Sequence, residues 1–262
     1  RKAIFYGWDR NEFVSQTDPI NPESIYTWSY TPKGFVTTSD GRDYTELGDL
    51  AQWQENKYDH DLGMEYFNKA KEELGSTVTW PIEIPYWTKA GNETASNTAI
   101  VFKATLEEAF GAENVTLNIQ EYSVSARSEV YNLNNQGFSS AGWIPDYKDP
   151  ANQLGCLVPG PTGYMNGEGT NGMSHWLYPE FVEMYNEACA ETSDLDKRYE
   201  LFANAEAYLF EHAYYIPLYQ ANATYRMTRY NPYSRTFATT GGTEYRYKRI
   251  EIREDTYTAQ DI

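Results

Sequence analysis

This 262-residue sequence predicts an α/β fold, a sheet flanked by helices, and three observations carry that prediction. First, Ile82, Ile84 and Tyr86 alternate with other residues as in a half-buried strand, and Val115, Leu117 and Ile119 alternate again. Second, Ala95, Ala99, Phe102, Leu106 and Phe110 lie on one side of a helix over residues 94–110, with Gly111 placed to cap its end. Strand, helix and strand in succession make a βαβ unit, hence a parallel pair with a right-handed crossover. Third, residues 138–143 read as a further strand, apolar at Phe138 and Trp143 and small between them, that breaks at Pro145. The sheet is therefore expected to hold at least three strands.

Taken in order, residues 1–16 read as one amphipathic helix with Ile4, Trp8 and Phe13 among its apolar positions. Arg1 already lies inside that pattern, which suggests a piece of a longer chain. Residues 17–60 are loop-rich, broken by Pro19, Pro22, Pro32 and Gly41, and carry Tyr26, Trp28, Tyr30 and Phe35. Met64, Phe67, Ala70 and Leu74 form the stripe of a helix over residues 63–74. After the βαβ unit a short helix is expected near residues 125–133. A glycine-rich loop occupies 155–176. Two helices then run back to back. The first opens at Tyr178-Pro179 and buries Phe181, Met184, Tyr185 and Ala188. The second is capped by Ser193 or Asp194 and carries Leu195, Tyr199, Phe202 and Leu209. Beyond Tyr219 the chain turns β-rich at 225–229 and 245–252 before a polar tail.

Composition narrows the function. A net charge of −17, spread without long acidic runs, argues against nucleic acid and anionic membrane surfaces, which call for basic patches. Aromatic residues make up 16% of the chain, and acidic, aromatic-rich surfaces suit sugars or peptides, although a Tyr-rich core accounts for the same count. Cys156 and Cys189 are able to bridge only if geometry brings them together. No apolar run reaches 18 residues. His60, His175 and His212 show no metal-site spacing, so no metal and no cofactor are expected. Asp59-His60-Asp61 fails as a calcium loop, because Met64 and Ala70 stand where a glycine and a bidentate glutamate belong. Residues 167–172 satisfy GxGxxG but follow a loop and carry Glu168 where a phosphate would lie. No nucleophile elbow and no Walker A sequence occur, so no catalytic residue is assigned.

The stretch Gly142-Trp143-Ile144-Pro145-Asp146-Tyr147-Lys148-Asp149-Pro150 delivers rings and carboxylates to a turn, at what is expected to be the C-terminal end of a strand. Open α/β sheets hold ligands there. An ordinary strand exit with solvated acids has the same residues.

That run, GWxxDYxDP, resembles the signature of the peptide/nickel family of extracellular solute-binding proteins of ABC transporters, and most closely its Gram-positive oligopeptide-binding lipoproteins. A second segment, Asp194, Lys197-Arg198, Leu201, Ala205-Glu206, Leu209 and Ile216-Pro217-Leu218-Tyr219, is similar to the family's DxxKRxxLxxxAExxLxxxxPxIPLY, with Tyr214 in place of its first proline. Looser matches lie in residues 1–14, which open with the form RKAI-x-Y-x-x-DR, and in residues 58–74.

The resemblance implies a type II periplasmic-binding-protein-like lobe with a mixed sheet, residues 1–230, followed by a segment, 231–262, that crosses back to an N-terminal lobe. It implies an oligopeptide ligand, that N-terminal lobe and membrane permease subunits as partners, and no catalysis. It also implies a place outside the cell membrane as a lipoprotein, or in a periplasm, with any signal or anchor upstream. Asp146 would receive the peptide ammonium, Trp143 would wall the ligand side chains, and the backbone of Gly142 to Ile144 would pair with an extended peptide. Tyr147 completes the expected site. Asp149 has a weaker claim and caps the turn beside Pro150. Residues 131–141 hold no Lys or Arg, so no basic partner for a peptide carboxylate is visible there. A carbohydrate-binding or carbohydrate-active protein is the alternative, since 38 acids and many rings would supply it.

Overall fold

The computed structural model describes residues 1–159, 178–220, 228–234, 247–252 and 254. Most of the glycine-rich loop, with its GxGxxG, and residues 225–227 and 245–246 of the expected β-rich part lie outside them. Residues 247–252 lie within, and there the expected strand is a turn followed by one antiparallel bridge, Tyr230↔Ile252.

The predicted first helix is two helices. α1 (Lys2–Gly7) ends at Trp8, and α2 (Arg10–Thr17) begins after Asp9. Asp9 accepts hydrogen bonds from the backbone N–H groups of Asn11 and Glu12, so a residue that reads as mid-helix acts as an N-cap. The break drives Trp8 inward, where its indole N–H donates to Thr105 Oγ1 at 2.9 Å. Arg10 is buried, donates to the Pro217 carbonyl and lies 4.7 Å from the Trp28 ring centre. Burial lowers its pKa to about 10.

α3 (His60–Leu74) is capped by Asp59, the residue of the rejected calcium loop. It packs on α1 at closest range where Gly63 meets Gly7: a Cβ on Gly63 would lie 2.2 Å from the Gly7 Cα. β1 (Ile82–Lys89) and β2 (Val115–Tyr122) pair in parallel from Ile82↔Val115 to Lys89↔Tyr122, joined by α4 (Glu93–Phe110). α4 buries Ala99, Phe102, Leu106 and Phe110, and Gly111 caps it at φ +83°.

The third strand does not form. Residue 138 makes one isolated parallel bridge to Tyr86, and Gly137 and Phe138 both donate to the Pro85 carbonyl. The N–H and C=O of a strand residue point to the same side, so Pro85 has no donor on this edge and the pairing cannot extend toward residue 136. Beyond Phe138 no further pairing forms among the described residues. The described sheet is accordingly a parallel pair, with the antiparallel bridge Tyr26↔Tyr219 apart from it. A short α5 (Ala126–Glu129) precedes this edge.

Two cores result. One lies between the sheet and helices α2 to α4, around Trp8, Phe13, Phe102, Leu106 and Leu117. The other is helical, formed by α6 (Pro150–Gly155), α7 (Pro179–Ala190), α8 (Leu195–Glu211) and the 3-10 helices Tyr44–Glu46 and Gly48–Trp53. α1 serves both, through Ala3 and Phe5. Cys156 and Cys189 are both free, and Cys156 is engaged with Tyr30 Oη at 2.9 Å.

Glu206 of α8 is fully buried in the helical core. It accepts from the Tyr30 and Thr31 N–H groups, the Thr31 hydroxyl and the Tyr44 hydroxyl. Burial outweighs those bonds and pushes its carboxyl from the usual 4.5 up to about 7. The folded state therefore holds a proton that the unfolded chain releases between those values. The stabilisation is complete below about pH 4.5 and is lost as pH rises through about 7. Measured against Glu206→Gln by urea denaturation, the wild type should lose about 3 kcal/mol of relative stability across that window. A flat difference would show that the four donors hold Glu206 ionised throughout.

Candidate functional site

The loop from Ala141 to Asp149 runs from the bridge at Phe138 into α6. Asp149 begins that helix: its carboxylate accepts from the Ala151 N–H at 2.8 Å, and Pro150 occupies the first turn, where a missing N–H costs nothing. Arg198, in the first turn of α8, then grips the same carboxylate with two parallel bonds, Nε to Oδ2 at 3.2 Å and Nη2 to Oδ1 at 3.1 Å. Its Nη1 donates to the carbonyls of Ala188, Cys189 and Glu191 at the end of α7. Asp149 is thus a cap and an ion-pair partner, as its weaker claim to ligand implied. α6 is held further by Tyr185, whose hydroxyl donates to the Ala151 carbonyl, and by the fully buried Leu154 and Leu157.

On this base Trp143 is half-buried against the helical core, and its indole N–H donates to Asn152 Oδ1 at 3.1 Å. The same oxygen accepts the Asp146 backbone N–H at 2.9 Å, and Asn152 Nδ2 lies 3.4 Å from Asp146 Oδ2. Trp143 and Asp146, expected to act together, are brought together by one carboxamide. The Asp146 carboxylate is exposed, and its Oδ1 has no partner among the described residues.

The other three expected residues stand open to solvent. Ile144 is 83% and Tyr147 55% exposed, and a Cβ added at Gly142 would meet nothing within 4 Å. Residues 139–142 make no backbone pairing with a neighbouring strand among the described residues. One expectation is corrected here. The loop is not the end of a laddered strand, because the strand is a single bridge; α6 and Asn152 position it instead.

The site is an open face. A cleft of about 560 Å³ lined by Lys2, Tyr6, Trp53, Lys57, Asn204 and Glu211 shares no residue with it. The loop rings are mostly committed elsewhere: Phe35 is buried, Trp28 lies against Arg10, and Tyr30 against Cys156. No group of three or more His, Cys, Asp or Glu side chains among the described residues is placed to hold a metal ion. No described helix is long and apolar enough to cross a membrane.

Solved structures superpose on this arrangement. A peptide-binding protein of a peptide ABC transporter matches with a TM-score of 0.65 at 21% identity, covering 83% of this chain and 88% of that one. The substrate-binding domain of an oligopeptide ABC transporter from Bacillus anthracis gives 0.66 at 22%, covering 84% and 39%. OppA of Listeria monocytogenes bound to peptide gives 0.64 at 20%, covering 84% and 38%. The fold is that of the peptide-binding proteins of ABC transporters.

By sequence the chain is similar along its whole length to two streptococcal proteins, each at 26% identity. They are the oligopeptide-binding proteins SarA of Streptococcus gordonii and AliA of Streptococcus pneumoniae. It spans 44% of the length of each. No family model matches.

Asn152 and the Arg198 grip were not assigned from the sequence. Arg198 stood in the second quoted segment, with nothing to pair it with Asp149, 49 residues earlier. Asn152 carried no signal beyond its place just after Asp149-Pro150. Arg198 and Asp149 are 12% and 22% exposed. Arg198→Ala should therefore cost about 3 kcal/mol in urea denaturation, because it strands a carboxylate and three carbonyls. Arg198→Lys should recover less than half, since an ammonium cannot span both carboxylate oxygens and the end of α7.

Proposed function

We propose that this chain is the C-terminal lobe of an oligopeptide-binding protein of an ABC importer, and that the Ala141–Asp149 loop is its contribution to the peptide cleft. The observation that carries the reading is Asp146. Its carboxylate has an open oxygen, is anchored through its own backbone, and sits beside a half-buried tryptophan and an unpaired stretch of backbone.

A peptide ammonium is strongly hydrated, so a protein that covers it must supply a charged acceptor. Trp143 offers a rigid apolar wall at little entropic cost. The backbone of Gly142 to Ile144, which lies outside any described strand, suits an extended peptide bound by main-chain hydrogen bonds, which give affinity without sequence preference. Ile144 and Tyr147, exposed here, would be covered by the ligand or the opposing lobe. The relatives' greater length supports the two-lobe reading, with residues 1–230 as this lobe and 231–262 returning to the other.

Closure of two lobes around the peptide would form the species that docks on the permease. The protein works by capture rather than catalysis, on the outer side of a membrane as a lipoprotein or in a periplasm, with the anchor upstream.

Native mass spectrometry of the intact protein that carries this chain, beside its Asp146→Ala variant, tests the proposal. Co-purified peptide masses are expected in the wild type. The variant should bind free-amine peptides at least about tenfold more weakly, the size of a lost charge-assisted hydrogen bond. N-acetylated peptides should bind wild type and variant alike. Peptides that survive the substitution would move the amine anchor to the other lobe. A bound saccharide, or turnover of an added glycan, would overturn the peptide assignment.

A further inference from the structure

We propose that Asn152 is the positioning residue of this site: a single carboxamide that sets the spacing and orientation of Trp143 and Asp146 and so makes the loop selective for a free amino terminus. The proposal rests on the peptide reading of the loop.

The geometry leaves Asn152 one orientation. Its Oδ1 faces the Trp143 indole N–H at 3.1 Å and the Asp146 backbone N–H at 2.9 Å, and neither group is able to accept a hydrogen bond. The oxygen must therefore be the atom between them, which turns Nδ2 toward Asp146 Oδ2, 3.4 Å away. Three groups of a loop without a strand ladder thus converge on one side chain.

Asn152 is itself fixed. It lies in the first turn of α6, its own N–H donates to the Asp149 carbonyl at 2.9 Å, and Arg198 holds Asp149. The chain of support runs from α8 through Asp149 to Asn152, and from there to both proposed ligand residues. Engaging Oδ2 of Asp146 with Nδ2 leaves Oδ1, which has no partner among the described residues, as the acceptor available to a ligand. Preorganisation of this kind raises affinity by removing the cost of ordering the loop on binding.

The test uses the intact protein with ¹⁵N-labelled tryptophan, Trp143→Phe serving to assign the Trp143 indole signal. In Asn152→Ala that signal should move to the position of a water-bonded indole while the other indole signals stay put, which also shows that the fold survives. The preference for a free-amine peptide over its N-acetylated form should fall about tenfold, the consequence of losing about 1.4 kcal/mol of preorganised contact. Asn152→Asp keeps an acceptor for the indole N–H but sets an anionic oxygen where Nδ2 faced Asp146 Oδ2, so it should restore the indole signal and not the placement of the Asp146 carboxylate.

An unmoved Trp143 signal in Asn152→Ala, or an unchanged preference between the two peptides, would overturn the proposal. If the wild type binds both peptides equally, the amine reading of Asp146 fails. The indole comparison then still decides whether Asn152 holds the loop.

Discussion

One guanidinium organises the helical half of this molecule. Arg198 closes the junction between α7 and α8 by holding three carbonyls that the end of α7 leaves without helical partners, and with its other edge it clamps Asp149. Asp149 in turn starts α6, and α6 carries Asn152. The two sequence segments that most resemble solute-binding proteins, one around residues 142–150 and one from 194, are therefore a single structural unit joined at this pair.

The same logic extends along α8. Asp194 caps it, Asp196 accepts from the Ser39 N–H at 2.8 Å, and Asn204 accepts from the Asp49 N–H at 2.8 Å. Glu206 takes the four donors of Tyr30, Thr31 and Tyr44. Residues 17–60 contain no long helix or paired strand, so their backbone groups need other partners, and α8 supplies several from side chains. An irregular wall is thus fixed to a regular spine. The cost is a carboxylate buried where its charge is disfavoured.

Aromatic richness divides between packing and site. Trp8, Phe13 and Phe102 cluster in the sheet core, and Tyr178, Phe181, Tyr185 and Phe202 in the helical one. Trp143 belongs partly to the helical core and partly to the candidate site. Composition was therefore a weak guide to ligand, because the ring count is mostly accounted for by two cores built from large, flat side chains. Ile144 and Tyr147 are exposed, but so are Ile20, Val124, Leu133 and Tyr233, so exposure by itself does not mark a ligand surface either.

What the sequence by itself determined was local. The alternations at Ile82–Lys89 and Val115–Tyr122, the stripe of α4 with Gly111 behind it, Pro179 at the start of α7 and Asp194 before α8 are all set by neighbours within a few residues. The loop holding Trp143 and Asp146 was also legible, through its resemblance to a family. Tertiary structure alone decided the rest. That Trp8 turns inward at the helix break and meets Thr105, 97 residues away, depends on where α4 lies. The third strand shrank to one bridge at Phe138, and Pro85, without an N–H, closes only its N-terminal side. Asp149 found Arg198 at a separation of 49 residues, and Glu206 found Tyr30 at 176. Periodicity reports which face of an element is apolar, but a polar side chain's partner depends on where distant segments come to lie, and no local pattern encodes that.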